Sequence, residues 1–169
     1  MPRPRILQLA KAALIGSIAL FFTLVAFGNV TDYGSNWEFV QHVLSMDTTF
    51  PNSTLRWRAI TNPGLQTAGY WSIIGWEAIT AAVLWVGAVR LLWAASPNEV
   101  RRAKETAAVG LVFGFLLYSV GFVSIGGEWF AMWQSETWNG QQKAFNFLAM
   151  ISAVLIVLLL PDPADDRIP

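Results

Sequence analysis

No cysteine and a single histidine, His42, occur among the 169 residues. The first absence removes disulfides, iron–sulfur clusters, thiolate zinc sites and cysteine nucleophiles. The second removes a bis-histidine haem supplied by this chain alone. Charge is scarce as well: Asp, Glu, Lys and Arg make up 13% of the chain, about half the share usual in a soluble domain. With a formal net charge of zero, nothing in the chain suggests nucleic acid as a partner. No phosphate-binding glycine loop, nucleophile–base pair or paired carboxylates appear. The expectation is no catalytic residue, no cofactor and no metal site.

What the chain does have is apolar length. Four runs stand out, at 12–30, 68–95, 107–127 and 144–160. A hydrocarbon core of ~30 Å takes about 20 apolar residues in a helix. Backbone amides in lipid must be satisfied internally, so such runs have to be helices. The expected fold is an all-α membrane protein, a four-transmembrane-helix bundle forming a single integral membrane domain over 1–169. A signal peptide is the alternative for the first run, since Ala26-Phe27-Gly28 loosely resembles a cleavage site, but the apolar core is too long and continues through it.

Basic residues set an expected orientation. Arg3, Arg5, Lys11, Arg90, Arg101, Arg102, Lys104 and Arg167 fall on one side, against Arg56, Arg58 and Lys143 on the other. Basic residues are retained in the cytoplasm. Segments 1–11, 96–106 and 161–169 are therefore expected inside, with loops 31–67 and 128–143 facing outward.

The loops carry recognisable punctuation. Ser35-Asn36-Trp37-Glu38 has capping-box spacing and predicts a short amphipathic helix to about Met46 in the first outer loop, lying on the membrane or capping the bundle. Pro51 and Thr61-Asn62-Pro63-Gly64 mark turns. Ser96-Pro97-Asn98-Glu99 is a second capping box with Pro at the first helical position. Asn139-Gly140 turns into the fourth span, and Pro161-Asp162-Pro163 stops it.

Nine tryptophans are present. Most, including Trp37, Trp57, Trp129 and Trp133, fall in or near the outer half, as an aromatic belt would. A docking surface is the competing reading, because Trp and Arg are enriched in interface hot spots. Its candidates are Trp37, His42, Asp47, Arg56, Trp57, Arg58, Glu128, Trp129 and Trp133. Small residues mark helix seams: Gly110, Gly114 and Gly121 on the third span, Ala12 and Gly16 on the first, Ala78 and Ala82 on the second. Four helices need several internal seams before any is spare for an oligomer. The two halves show no sequence repeat of the inverted-transporter kind.

Glu77 is the one carboxylate within a span. An ionised carboxylate at mid-bilayer costs at least ~2.5–3.5 kcal/mol, so it is buried, paired or neutral. Tyr70 and Thr80 share its helical face, and Tyr118, Ser119, Ser124 and Asn146 are polar groups expected at matching depth. Arg56, Arg58 or Lys143 could reach in as a basic partner. Three readings stand: a buried clamp, a proton or cation path, or a contact to a partner's cation. A membrane enzyme would need His42, Asp47 and Glu128 to converge. Asn29-Val30-Thr31 and Asn52-Ser53-Thr54 match the glycosylation pattern, which is too common to carry weight.

The segment Asn36–Pro51, reading NWEFVQHVLSMDTTFP, resembles the signature of a bacterial family of predicted small integral membrane proteins, a domain of unknown function. Gly126–Ser135 and Trp138–Gln141 are similar to its second signature. The resemblance spans nearly the whole chain and implies a four-helix protein of the bacterial inner membrane with no established activity. On the residues alone, two functions are expected to compete. One is a non-catalytic accessory or scaffold subunit, docking a membrane-protein partner or a second copy through its outer loops. The other is a small proton- or cation-linked transporter or channel-forming oligomer using Glu77.

Overall fold

A computed structural model of the chain describes residues 5–161. Arg3, Asp162, Pro163 and Arg167, used above for charge and helix termination, lie outside the described residues. Within them the architecture is helical with no strand: α1 (Arg5–Thr31), α2 (Tyr33–Ser45), α3 (Pro63–Trp93), α4 (Pro97–Leu116), a π-helical segment (Leu117–Trp129) that continues α4, and α5 (Gln141–Leu159). Four helices are long and apolar enough to cross a membrane, α4 and the π segment counting as one. Each reaches past its apolar run at one end or both. Their outward faces carry exposed Leu20, Phe27, Ile79, Val112, Phe145 and Ile156. Such a girdle matches lipid.

Helix ends follow their caps. Asn62 Oδ1 accepts from the amides of Gly64 and Leu65 with Pro63 in the first turn, and Ser96 with Glu99 closes the expected capping box. The Ser35–Glu38 box does not form. α1 runs through Thr31, and only Asp32 separates it from α2, so Ser35 is already helical and has no free amides ahead of it to cap. At the other end of α1, Gln8 Nε2 donates to the carbonyls of Leu91 (2.7 Å) and Ala94 (2.9 Å) at the close of α3. Lys11 Nζ donates to the carbonyl of Leu160, the C-cap residue that follows α5, at 3.0 Å. Terminal carbonyls have no intrahelical donor, and a cation there also meets the negative end of the helix dipole. One turn of α1 thus closes two other helices.

α3 packs chiefly on α1 and α4, while α5 lies on α4 and the π segment. The contact is closest where a side chain is missing. A Cβ on Gly87 would stand 2.8 Å from the Ala107 backbone, one on Gly110 2.8 Å from Leu84, and one on Gly114 2.7 Å from Phe22. The Gly110/Gly114 pair is therefore an internal seam. Gly121 does not extend it, because the helix has widened to the π form by then and this glycine's nearest neighbour is its own Leu117. Ala78 and Ala82 are exposed; the notches α3 uses are Ala81, Gly87 and Ala88. Ile15, Phe22, Leu84, Leu91, Leu111 and Ile151 fill the core between these seams.

The opposite end is covered by a folded layer. α2 buries Val40 and Val43 against the start of α3 and the 130–132 turn, so it caps the bundle. Ile60 N donates to Leu44 O at 2.8 Å, Thr48 Oγ1 to Ser135 Oγ at 2.9 Å, and Phe50 N to Gln134 Oε1 at 3.2 Å. The two connecting loops are one structure.

The seam gives a clean contrast on a single helix. A Gly87→Ala replacement should destabilise the bundle by about 1–3 kcal/mol through overpacking. Gly75→Ala, with open space around it, should leave thermal unfolding in detergent unchanged or slightly raised. Equal melting of the two variants would contradict the seam.

Candidate functional site

Glu77 lies midway along α3 and is only 2% exposed. Its partner is Asn29, two residues before the end of α1: Asn29 Nδ2 donates to Glu77 Oε2 at 2.7 Å. Asn29 is itself held by Tyr70, whose hydroxyl lies 3.2 Å from the Asn29 carbonyl and 3.4 Å from Oδ1. Each group suits its place. The amide needs an acceptor for its N–H and a donor for its oxygen, and Glu77 and Tyr70 supply one each. Tyr70 also satisfies a carbonyl in the last turn of α1 that has no intrahelical donor. Tyr33 and Trp37 pack on the Tyr70 ring with centroids at 4.8 and 6.1 Å, tying α2 to the same point.

The other residues expected around Glu77 are disposed differently. Thr80 shares the buried face, but its hydroxyl donates to the Trp76 carbonyl at 2.8 Å. Asn146 is on the exposed side of α5 and accepts from Gln142 Nε2 at 3.3 Å, because α5 turns Ala144 rather than Asn146 inward. Arg56 and Arg58 do not reach Glu77. Arg56 donates to Thr49 Oγ1 and O, and Arg58 is engaged at the surface. Lys143 and Tyr118, by contrast, line one cavity with Glu77.

That cavity holds about 530 Å³. Its floor is Asn29, Tyr70, Glu77 and Tyr118, all buried, and its mouth is Ser35, Asn36, Thr137, Asn139 and Lys143, all exposed. It therefore opens at the loop layer and descends to Glu77. Phe39, Val40, Ile73 and Phe122 separate it from a second, almost wholly apolar cavity of about 540 Å³ between α2, α3 and the π segment. π-helical turns frequently mark functional sites, and here the widened segment forms a wall of both cavities. Trp76 Nε1 donates to Phe113 O at 2.9 Å, just before the bonding pattern changes.

The second cluster is at the surface. The Arg58 guanidinium lies 5.3 Å from the Trp57 ring centroid and 4.6 Å from that of Trp129. It also donates to Trp129 O at 3.2 Å. The two indoles meet edge to face at 5.9 Å, and Trp133 meets Phe50 in the same way at 5.7 Å. His42 Nδ1 pairs with Asp47 at 2.8 Å and its ring stacks on Trp138 at 4.7 Å. Glu128 is exposed. Among the described residues no three His, Asp or Glu side chains gather closely enough to hold a metal.

Sequence reasoning found Glu77 and Tyr70 but missed Asn29. The available signal was its position as the last polar residue of the first span. The triad predicts an order of damage. Asn29→Leu strands a buried carboxylate and should cost about 1–3 kcal/mol, Tyr70→Phe should cost about 1 kcal/mol, and Glu77→Gln, which can still accept from Asn29, should cost least. Thermal unfolding in detergent micelles measures the order; a Glu77→Gln loss as large as that of Asn29→Leu would contradict it.

No curated protein and no solved structure matches this chain. A family profile does, over residues 7–161: predicted small integral membrane protein (DUF2165). That match covers all but the first two residues of α1, the other three long apolar helices, the loop layer and the Asn29–Tyr70–Glu77 triad, and the chain belongs to this family of predicted small integral membrane proteins.

Proposed function

We propose that this protein is a non-catalytic accessory or scaffold subunit that docks a membrane-protein partner through its loop layer. One observation carries the reading: Trp57, Trp129 and Arg58 form a fixed stack on a hydrogen-bonded surface, with Trp57 still 73% exposed. Aromatic and Arg side chains dominate binding energy at interfaces, and a surface ordered before binding loses less entropy on association. In this reading the protein sits in a bacterial inner membrane, and the distribution of basic residues supports an orientation with both termini cytoplasmic, which turns this surface outward.

The packing below Glu77 favours docking over conduction through a single chain. Thr80, Ala81, Leu84, Ala88 and Leu91 continue the inner face of α3, and all are buried. Ion and proton paths are normally marked by several intramembrane ionisable groups, and this face offers none beyond Glu77.

The test compares variants rather than isolating whatever co-purifies. Trp57→Ala combined with Trp129→Ala should abolish a stoichiometric partner complex extracted gently from the native host. Trp93→Ala, an equally exposed indole at the other end (77%), should leave it intact. If both variants recover the same complex, or the protein emerges alone or only with copies of itself, the reading fails. Orientation is tested separately, since the chain has no cysteine. Asn52→Cys should react with an impermeant maleimide on intact spheroplasts, and Asn98→Cys only after permeabilisation.

A further inference from the structure

We propose that the cavity above Glu77 is a binding site for a small organic ammonium ion, with its charged head on Glu77 and its apolar body against an aromatic wall. The site goes beyond the docking surface and does not depend on it.

Three features carry the proposal. The first is the carboxylate. Asn29 engages Oε2, and Oε1 has no hydrogen-bond partner among the described residues, although the residue is almost wholly buried and lines the cavity. A buried carboxylate calls for a cation or a hydrogen-bond donor. The one cation lining the cavity, Lys143, is exposed at its mouth.

The second is the wall. Phe39, Phe122, Tyr118 and Phe147 follow one another with centroid separations of 6.3, 5.3 and 5.0 Å, and Trp138 continues the series from Phe39 at 6.3 Å towards the mouth. Aromatic enclosures with a nearby negative charge are how proteins recognise alkylammonium groups, through cation–π attraction. The third is size. About 530 Å³ falls within the roughly 300–1,000 Å³ of small-molecule pockets. An inorganic cation would instead need about six oxygen ligands converging at one point, whereas the oxygens of Asn29 and the hydroxyl of Tyr70 are engaged with each other.

The ammonium could belong to a free amine or to a lipid headgroup, because Leu24 and Val25 of α1 and Ala144 and Phe147 of α5 form the cavity's flank between those two helices. The probe is choline chloride, titrated calorimetrically into the full-length protein in maltoside micelles, with uncharged 3,3-dimethylbutanol as its isostere. Saturable one-to-one binding of choline is expected, with the isostere at least tenfold weaker. Glu77→Gln should weaken choline at least tenfold. Should that variant fail to fold, Phe147→Leu on the wall should weaken it several-fold. Absence of saturable choline binding, equal binding of the isostere, or wild-type binding by Glu77→Gln would overturn the site. Repeating the titration in nanodiscs identifies the source. Suppression by phosphatidylethanolamine but not phosphatidylglycerol assigns the site to a lipid headgroup, and equal binding in both assigns it to a free amine; either result requires the site to exist.

Discussion

A carboxylate in a low-dielectric interior must find a donor, and in this protein the donor is an amide on another helix. Asn29 and Glu77 are 48 positions apart in sequence, and their 2.7 Å bond joins α1 to α3. Tyr70 fixes the orientation of that amide from two turns earlier on α3, and α2 rests on the Tyr70 ring through Tyr33 and Trp37. The position of the loop layer thus depends on three buried polar side chains. A misplaced register would leave these buried polar groups without their partners, a cost of about 1–3 kcal/mol each.

The bundle is accordingly two structures in series. On the side of the α3–α4 connector, glycines bring α3 and α4 close at the backbone and admit the Phe22 ring of α1 against α4, and Leu and Ile side chains fill the remainder. On the loop side, the third span widens into the π form, α1 ends, and two cavities open. Close packing and a site for a ligand place opposed demands on one helix pair. The chain meets them in different turns, with Glu77 and Thr80 at the boundary.

Much of this was legible in the sequence, and the unread parts share a cause. The four spans follow from apolar length, because lipid leaves the backbone no alternative. The Ser96–Glu99 and Asn62–Pro63 caps are local, so spacing revealed them. Arg56-Trp57-Arg58 against Trp129 was legible too, since topology alone brings those loops together. Asn29 was not, because its role is defined by a residue on another helix and no periodicity encodes that pairing. The π segment leaves no mark in composition, so spacing extends the seam to Gly121 as a regular helix would, and the widened helix does not. Asn146 is a related case: its polarity and depth are readable, whereas the rotation of α5 depends on Ala144 packing inward. Ser35 and Glu38 had the right spacing for a cap, but a cap needs an unformed turn before it.

The cavity runs from the loop layer to Glu77, and the inner face of α3 beyond it is closed by packed side chains. Spin-label accessibility along the inner face of α3 tests it most directly, with single cysteines at Ile73, Leu84 and Leu91 and the protein in nanodiscs. Collision with a water-soluble nickel complex is expected at 73 and at neither 84 nor 91. Equal accessibility at all three would reveal a continuous aqueous route past Glu77 and rule out a cavity that ends there.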